Sequence, residues 1–145
     1  GHTHIHTTWM PDLTVTGAAI SGPQAFRMAG LTPADIDCAQ LYDAFTILVI
    51  LLLEDLGFCP KGEGGPFVEG GRIELGGQLP VNTDGGGLSH CHHGSSGLWH
   101  FIEAVRQLRG VRGPAQVPNC RTVLVHTNGG HLATHATVIL ANDVF

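Results

Sequence analysis

Apolar positions recur at helical spacing in some stretches of the chain and run together in others. Ala25, Phe26, Met28 and Ala29 form the body of a predicted helix. Ser21 is placed to cap it, Pro23 falls near its first turn, where a missing N–H costs little, and Gly30 stops it. Thr32 to Asp35 reads as a turn, and Ile36 to Leu41 as a short buried strand. A second helix is predicted from Asp43 to about Leu56, with Gly57 as its stop. Its interior, Phe45 to Leu53, is apolar all round, which implies cover on more than one side and hence packing against a second domain or subunit.

Residues 58–81 are glycine-rich and irregular, with a short hairpin expected around Arg72 to Leu75. A third helix is predicted from Ser96 to Arg109, its core stripe being Leu98, Phe101, Ile102, Val105 and Leu108. Two strands, Thr122 to His126 and Ala136 to Ala141, close the chain around a tight turn at Thr127-Asn128-Gly129-Gly130. The alternation of helix and strand gives an α/β fold, and the closing pair adds an antiparallel edge to a mixed sheet.

Composition narrows the class. The chain has 145 residues, enough for one domain with a core of its own. A net charge of −5 with no Lys/Arg cluster argues against nucleic acid or an anionic membrane as the main partner. The longest apolar run, Ala44 to Leu53, is too short to span a bilayer. Cys38, Cys59, Cys91 and Cys120 are scattered with no C-x-x-C, a pattern expected of reduced thiols in the cytoplasm.

The most chemical stretch is Asn-Thr-Asp-Gly-Gly-Gly-Leu-Ser-His-Cys-His-His-Gly-Ser-Ser-Gly, residues 82–97, which opens the third helix. A histidine held at a helix N-terminus can polarise or protonate a ligand oxygen, because the N–H groups there are unpaired and the dipole is positive. The chain has ten histidines, and imidazole with thiolate suits zinc. No ligand spacing recurs, however, and H-E-x-x-H is absent, so no metal site is expected. His2, His4 and His6 read as part of a leading segment, residues 1–11, ahead of a domain at 12–145.

Three segments in order resemble the C-terminal half of the thiolase superfamily. Asp35-Ile36-Asp37-Cys38-Ala39-Gln40-Leu41-Tyr42-Asp43-Ala44-Phe45 is similar to the strand that ends in Asn-Glu-Ala-Phe or His-Asp-Cys-Phe. Asn82 to Gly97 is similar to the loop Gly-His-Pro-x-Gly-x-(Ser/Thr)-Gly, with His92 on the catalytic histidine and one residue deleted after it. His126-Thr127-Asn128-Gly129-Gly130 matches the glycine turn after the second catalytic cysteine. Leu-Tyr-Asp-Ala-Phe, Leu-Pro-Val-Asn-Thr-Asp-Gly-Gly and Glu-Ala-Val-Arg-Gln-Leu-Arg-Gly most resemble the sterol-carrier-protein or non-specific lipid-transfer group, which includes steroid side-chain aldolases.

The resemblance implies the C-terminal half of an αβαβα fold, a mixed sheet covered by helices. It implies an acyl-CoA substrate, no cofactor beyond that coenzyme A thioester, and either a homodimer or an N-terminal thiolase half as partner. An OB-fold accessory protein is implied as a further partner. The departures bear on mechanism. The half that carries the nucleophilic cysteine is not in this sequence, Thr127 stands where the second cysteine belongs, and Tyr42 replaces the motif asparagine. These changes point away from thiolysis and toward retro-aldol cleavage of a β-hydroxyacyl-CoA, which needs a base and an oxyanion site but no acyl-enzyme. Tyr42 and His92 are the expected catalytic pair, with Asn128, Gly129 and Gly130 against the substrate. The alternatives are a conventional acyltransferase, or a module that binds acyl-CoA, lipid or a partner without catalysis; the isolated chain is expected to be inactive.

Overall fold

The computed structural model describes residues 3–91 and 94–142. Its centre is a three-stranded mixed sheet in the order β1-β2-β3, formed by β1 (Cys38–Leu41), β2 (Thr122–Gly129) and β3 (Thr134–Ala141). β1 runs parallel to β2, with Leu41 opposite His126, and β3 returns antiparallel, with Asn128 opposite His135. The mixed sheet with an antiparallel edge is the one the pattern predicts.

Alternate side chains of the strands serve two cores. Ala39, Leu41 and Leu124 face α1 (Ala18–Ala29) and α2 (Thr46–Asp55), and pack with Phe26, Leu48, Leu52 and Leu53. Cys38, Val123 and Val125 face the opposite way and pack with Ala104 of α5 (Ser96–Leu108). Helices therefore cover both faces, as expected. Two short helices, α3 (Gly64–Val68) and α4 (Gly86–Ser89), lie in the connections. No helix among the described residues is long and apolar enough to cross a membrane.

Several boundaries differ from the sequence pattern. α1 begins at Ala18 rather than after Ser21, because the Ser21 hydroxyl is buried against Thr137 at 2.7 Å and caps nothing. Pro23 consequently lies inside the helix. Gly30 ends it as expected, at φ 68°. α2 begins at Thr46, since Asp43 turns away to bind α4. Leu48, Leu52 and Leu53 of α2 are buried, but Phe45 and Ile47 remain exposed, so the chain itself covers only part of that all-apolar helix. Residues 72–81 form hairpin-like bonds from Leu79 to Arg72 and from Val81 to Ile73, without making regular strands.

The largest difference concerns α5. Ala104 is buried, and Phe101 and Leu108 pack on the core, but Leu98, Ile102 and Val105 are exposed. The buried positions instead include His100, Glu103 and Gln107. A carboxylate is buried only where it finds donors. Thr83 donates to Glu103 Oε1 at 2.5 Å, Gln107 Nε2 at 3.0 Å, and Arg112 Nε reaches its two oxygens at 2.8 and 2.7 Å. Gln40 of β1 also donates to Thr83, at 3.1 Å. This polar cluster rolls α5 so that part of its apolar stripe faces outward.

β2 runs three residues further than the pattern suggests. Thr127, Asn128 and Gly129 pair with Ala136, His135 and Thr134, so the reversal falls at residues 130–133. Gly130, His131 and Leu132 there have φ of 56°, 54° and 63°. For His131 and Leu132 that conformation is costly, and surrounding bonds hold it. His135 Nε2 donates to Leu132 O at 2.7 Å, and Thr7 of the leading segment donates to His131 O at 2.9 Å. His135 Nδ1 must then accept from His126 Nε2 at 3.2 Å, which leaves His126 Nδ1 to accept from Thr137 at 2.8 Å. With both imidazoles kept neutral by burial, Ser21 donates to Thr137 and the chain of bonds has one direction.

Burial holds both ring pKa values down, that of His126 to about 3. An unfolded histidine takes its proton near pH ~6.5, so the unfolded state binds more protons below that pH and stability falls as pH drops from there toward the folded value. His126 alone should contribute a slope of about 1.4 kcal/mol per pH unit. Urea unfolding between pH 7 and 5 should show this fall. His126→Leu should be less stable at pH 7, because Thr137 and His135 lose a partner, yet should show a flatter pH dependence.

Candidate active site

β1 ends at Leu41, and the next residue, Tyr42, donates its N–H to His126 O at 3.0 Å. Tyr42 thus stands at the end of the β1–β2 pair, level with the start of the Thr127-Asn128-Gly129 segment. A cleft of about 840 Å³ opens there. Its walls include Tyr42, Ala44 and Phe45 from one side, Gly94, Ser96 and Gly97 from the α5 N-terminus, and Asn128, Gly129, Gly130 and Leu132 from the β2–β3 turn. Four of the five expected site residues, Tyr42, Asn128, Gly129 and Gly130, therefore border one space. The fifth, His92, lies outside the described residues. Cys91 and Gly94 on either side of it border cavities that Tyr42 borders too.

The loop that follows β1's edge is built around Tyr42. Residues 80–82 run beside β1, where Ala39 N–H donates to Pro80 O and Asn82 N–H to Ala39 O, both at 3.0 Å. The chain then turns at Asn82, at φ 51°, a left-handed conformation that asparagine tolerates. Its side-chain amide takes up the pairing: Leu41 N–H donates to Oδ1 at 2.7 Å and Nδ2 donates to Leu41 O at 2.8 Å. On the other side of Tyr42, Asp43 is buried and accepts from Gly87 N–H at 2.7 Å and Leu88 N–H at 3.2 Å. Asp43 therefore caps α4, not the helix that follows it in sequence. Asp84 Oδ1 accepts from Gly86 N–H at 2.9 Å, and its other oxygen lies 3.3 Å from His90 Nε2. Asn82 and Asp84 thus both shape the loop through side-chain bonds to the backbone.

The glycines of the loop have a steric reason. A Cβ on Gly86 would overlap the Asp43 carboxylate, and one on Gly87 would come within 2.8 Å of Oδ1. At the α5 N-terminus, a Cβ on Gly97 would come within 3.0 Å of Thr127 Cγ2. Thr127, the residue on the motif's cysteine position, thus meets the first turn of α5.

The sequence reading omits His100. It is buried, its ring meets that of Tyr42 edge-on with centroids 6.3 Å apart, and its Nε2 has no hydrogen-bond partner among the described residues. Burial lowers its pKa, which Asp43 and Asp84 oppose. A signal was present, since His100, Glu103 and Gln107 form a polar stripe at helical spacing. All four cysteines are free thiols. Burial pushes the Cys38 thiol up to about 12 and that of Cys120 to about 11, so neither is a ready nucleophile. No cluster of three or more His, Cys, Asp or Glu that could hold a metal occurs among the described residues.

The model of the thiolase C-terminal domain-like family matches residues 1–142. The chain belongs to that family. An acetyl-CoA acetyltransferase of Methanothermobacter thermautotrophicus is 41% identical over 132 residues, covering 90% of this chain and 34% of that protein. A 17-hydroxy-3-oxo-4-pregnene-20-carboxyl-CoA lyase of Mycobacterium tuberculosis is 51% identical over 90 residues, covering 61% of this chain and 22% of the lyase. Among solved structures, the Ltp2-ChsH2(DUF35) aldolase superposes with a TM-score of 0.80 at 37% identity, over 92% of this chain and 34% of that one. The chain spans about a third or less of these relatives, which include both carbon–carbon lyases and an acyltransferase.

Gly86→Ala tests the loop. Its φ of 64° costs a side chain about 1–2 kcal/mol before the overlap with Asp43 is counted. The variant should unfold at lower denaturant than Gly94→Ala, whose Cβ would meet nothing within 4 Å among the described residues. Chemical denaturation of both variants beside the parent measures the difference.

Proposed function

We propose that this chain is the C-terminal half-site of a thiolase-like enzyme that cleaves a β-hydroxyacyl-CoA by a retro-aldol reaction. The observation that carries the reading is Tyr42 on the wall of the cleft it shares with Asn128, Gly129 and Gly130. A base is required at the β-hydroxyl, and this chain offers a phenol on the position where the family motif has asparagine. In the proposed step Tyr42 acts as its phenolate: it takes the hydroxyl proton and becomes the phenol, the carbonyl forms, and the Cα–Cβ bond breaks. The electron pair passes to the thioester oxygen as an enolate, which His92 stabilises as donor. Return of that proton from the Tyr42 phenol to Cα then gives a shorter acyl-CoA beside a ketone or aldehyde and restores the phenolate. Asn128, Gly129 and Gly130 form the wall against the acyl-CoA, where glycine allows close approach. No group beyond the coenzyme A thioester is needed for this balance.

The similarity to a steroid-CoA lyase and an aldolase supports cleavage over thiolysis, as does threonine at position 127. We place the protein in the cytoplasm, in keeping with four free thiols. The exposed Leu98, Ile102 and Val105 of α5, with Phe45 and Ile47 near the cleft, suit cover by an N-terminal thiolase half or a second subunit. An OB-fold accessory protein is a further proposed partner, and the isolated chain is proposed to be inactive.

The test uses the complete protein with 17-hydroxy-3-oxo-4-pregnene-20-carboxyl-CoA and, separately, a β-ketoacyl-CoA with free coenzyme A. Cleavage of the first without thiolysis of the second is expected. Tyr42→Phe should fold and lose about 10²–10⁴-fold in kcat, the range for a general acid–base group. Undiminished turnover in Tyr42→Phe would remove the assignment of the base, and tight acyl-CoA binding with no turnover in the parent would favour a carrier.

A further inference from the structure

We propose that Asn82 and Asp43 are positioning residues that hold Tyr42 from both flanks, so that the glycine loop acts as a clamp on the catalytic tyrosine. The proposal rests on the reading of Tyr42 as the base. Tyr42 directly follows the last residue of a strand, where a backbone normally frays for want of partners. Here the residue before it has both peptide groups taken by one side chain, the Asn82 amide, at 2.7 and 2.8 Å. The residue after it sends a buried carboxylate to two amides of the same loop, Gly87 and Leu88, at 2.7 and 3.2 Å. Its own N–H is held by His126 O. Three consecutive residues are thus fixed by partners from two directions.

The amide of Asn82 stands in for the next peptide of an edge strand. This frees the main chain to turn away at Asn82 and come back as the wall of the cavity beside Tyr42, which Gly87 and Leu88 border. The adjoining Thr83 is anchored in turn by Gln40, Glu103 and Gln107, so the clamp is tied to β1 and to α5. A displacement of about 1 Å in a reacting group can cost ~10²-fold in rate, which is why such bracing matters at this position.

Asn82→Gly in the complete protein is the clean test, because a φ of 51° suits glycine and only the amide is lost. With 17-hydroxy-3-oxo-4-pregnene-20-carboxyl-CoA, kcat should fall by about 30–100-fold and KM should stay within about 3-fold. In a Tyr42→Phe background the same change should cost less than about 2-fold, since it acts through the phenol. With 3-fluorotyrosine placed at position 42, the parent should give one sharp ¹⁹F line, and Asn82→Gly a broadened or divided one. Asp43→Asn, which weakens the other flank, should move the line in the same sense. A kcat equal to the parent's in Asn82→Gly, with Tyr42→Phe inactive, overturns the clamp and leaves the base assignment standing. If Tyr42→Phe turns over normally the base assignment falls instead, and an unchanged ¹⁹F line in Asn82→Gly then overturns the clamp on its own.

Discussion

A carboxylate enclosed by protein must be given donors, and Glu103 draws three of them to its Oε1 from different parts of the chain. Thr83 comes from the glycine loop, Gln107 from the next turn of α5, and Arg112 from the segment beyond the helix. Gln107 also binds Ala115 O and Val117 N–H, which brings the approach to β2 into the same cluster. Breaking one partner of such a buried group is commonly costly, because the remaining charge has no water to replace it. Burying Glu103 therefore sets the roll of α5, the seat of the loop and the entry into the central strand together. It also decides which face of α5 is left for something else to cover.

Much of this was legible in the pattern of residues. The mixed sheet, the helix stop at Gly30 and the extent of α5 follow from local rules that the tertiary structure does not oppose. The roll of α5 was not legible, because a count of apolar residues gives the stripe and not the strength of one buried ion. The start of α1 was misread for a related reason. Ser21 has the right side chain for a cap, but a hydroxyl has few bonds to give and Thr137 takes it. The turn after β2 was placed early because Asn-Gly-Gly is a strong local turn signal, whereas the pairing of Asn128 with His135 prevails over it.

The site was legible to a similar depth. Motif order brought Tyr42, Asn128, Gly129 and Gly130 to one cleft. What no motif conveyed was how Tyr42 is supported. Asp43 would by local rules serve the helix just after it, and instead serves one more than forty residues away in sequence, α4. His100 shares a polar stripe with Glu103 and Gln107, but that spacing marks a buried polar face and does not single out one histidine for the site. Only its burial against the Tyr42 ring sets it apart.

The oriented hydrogen bonds from Ser21 through Thr137, His126 and His135 to Leu132 have a chemical consequence for a chain so rich in imidazole. Each of these two rings has one nitrogen committed as donor and the other as acceptor, so neither offers a lone pair. A ligand cation or an electrophile would have to dismantle the whole relay to reach either of them. The histidines nearest the strand ends are in this sense chemically silent. The reactivity of this end of the sheet is left to groups outside the relay.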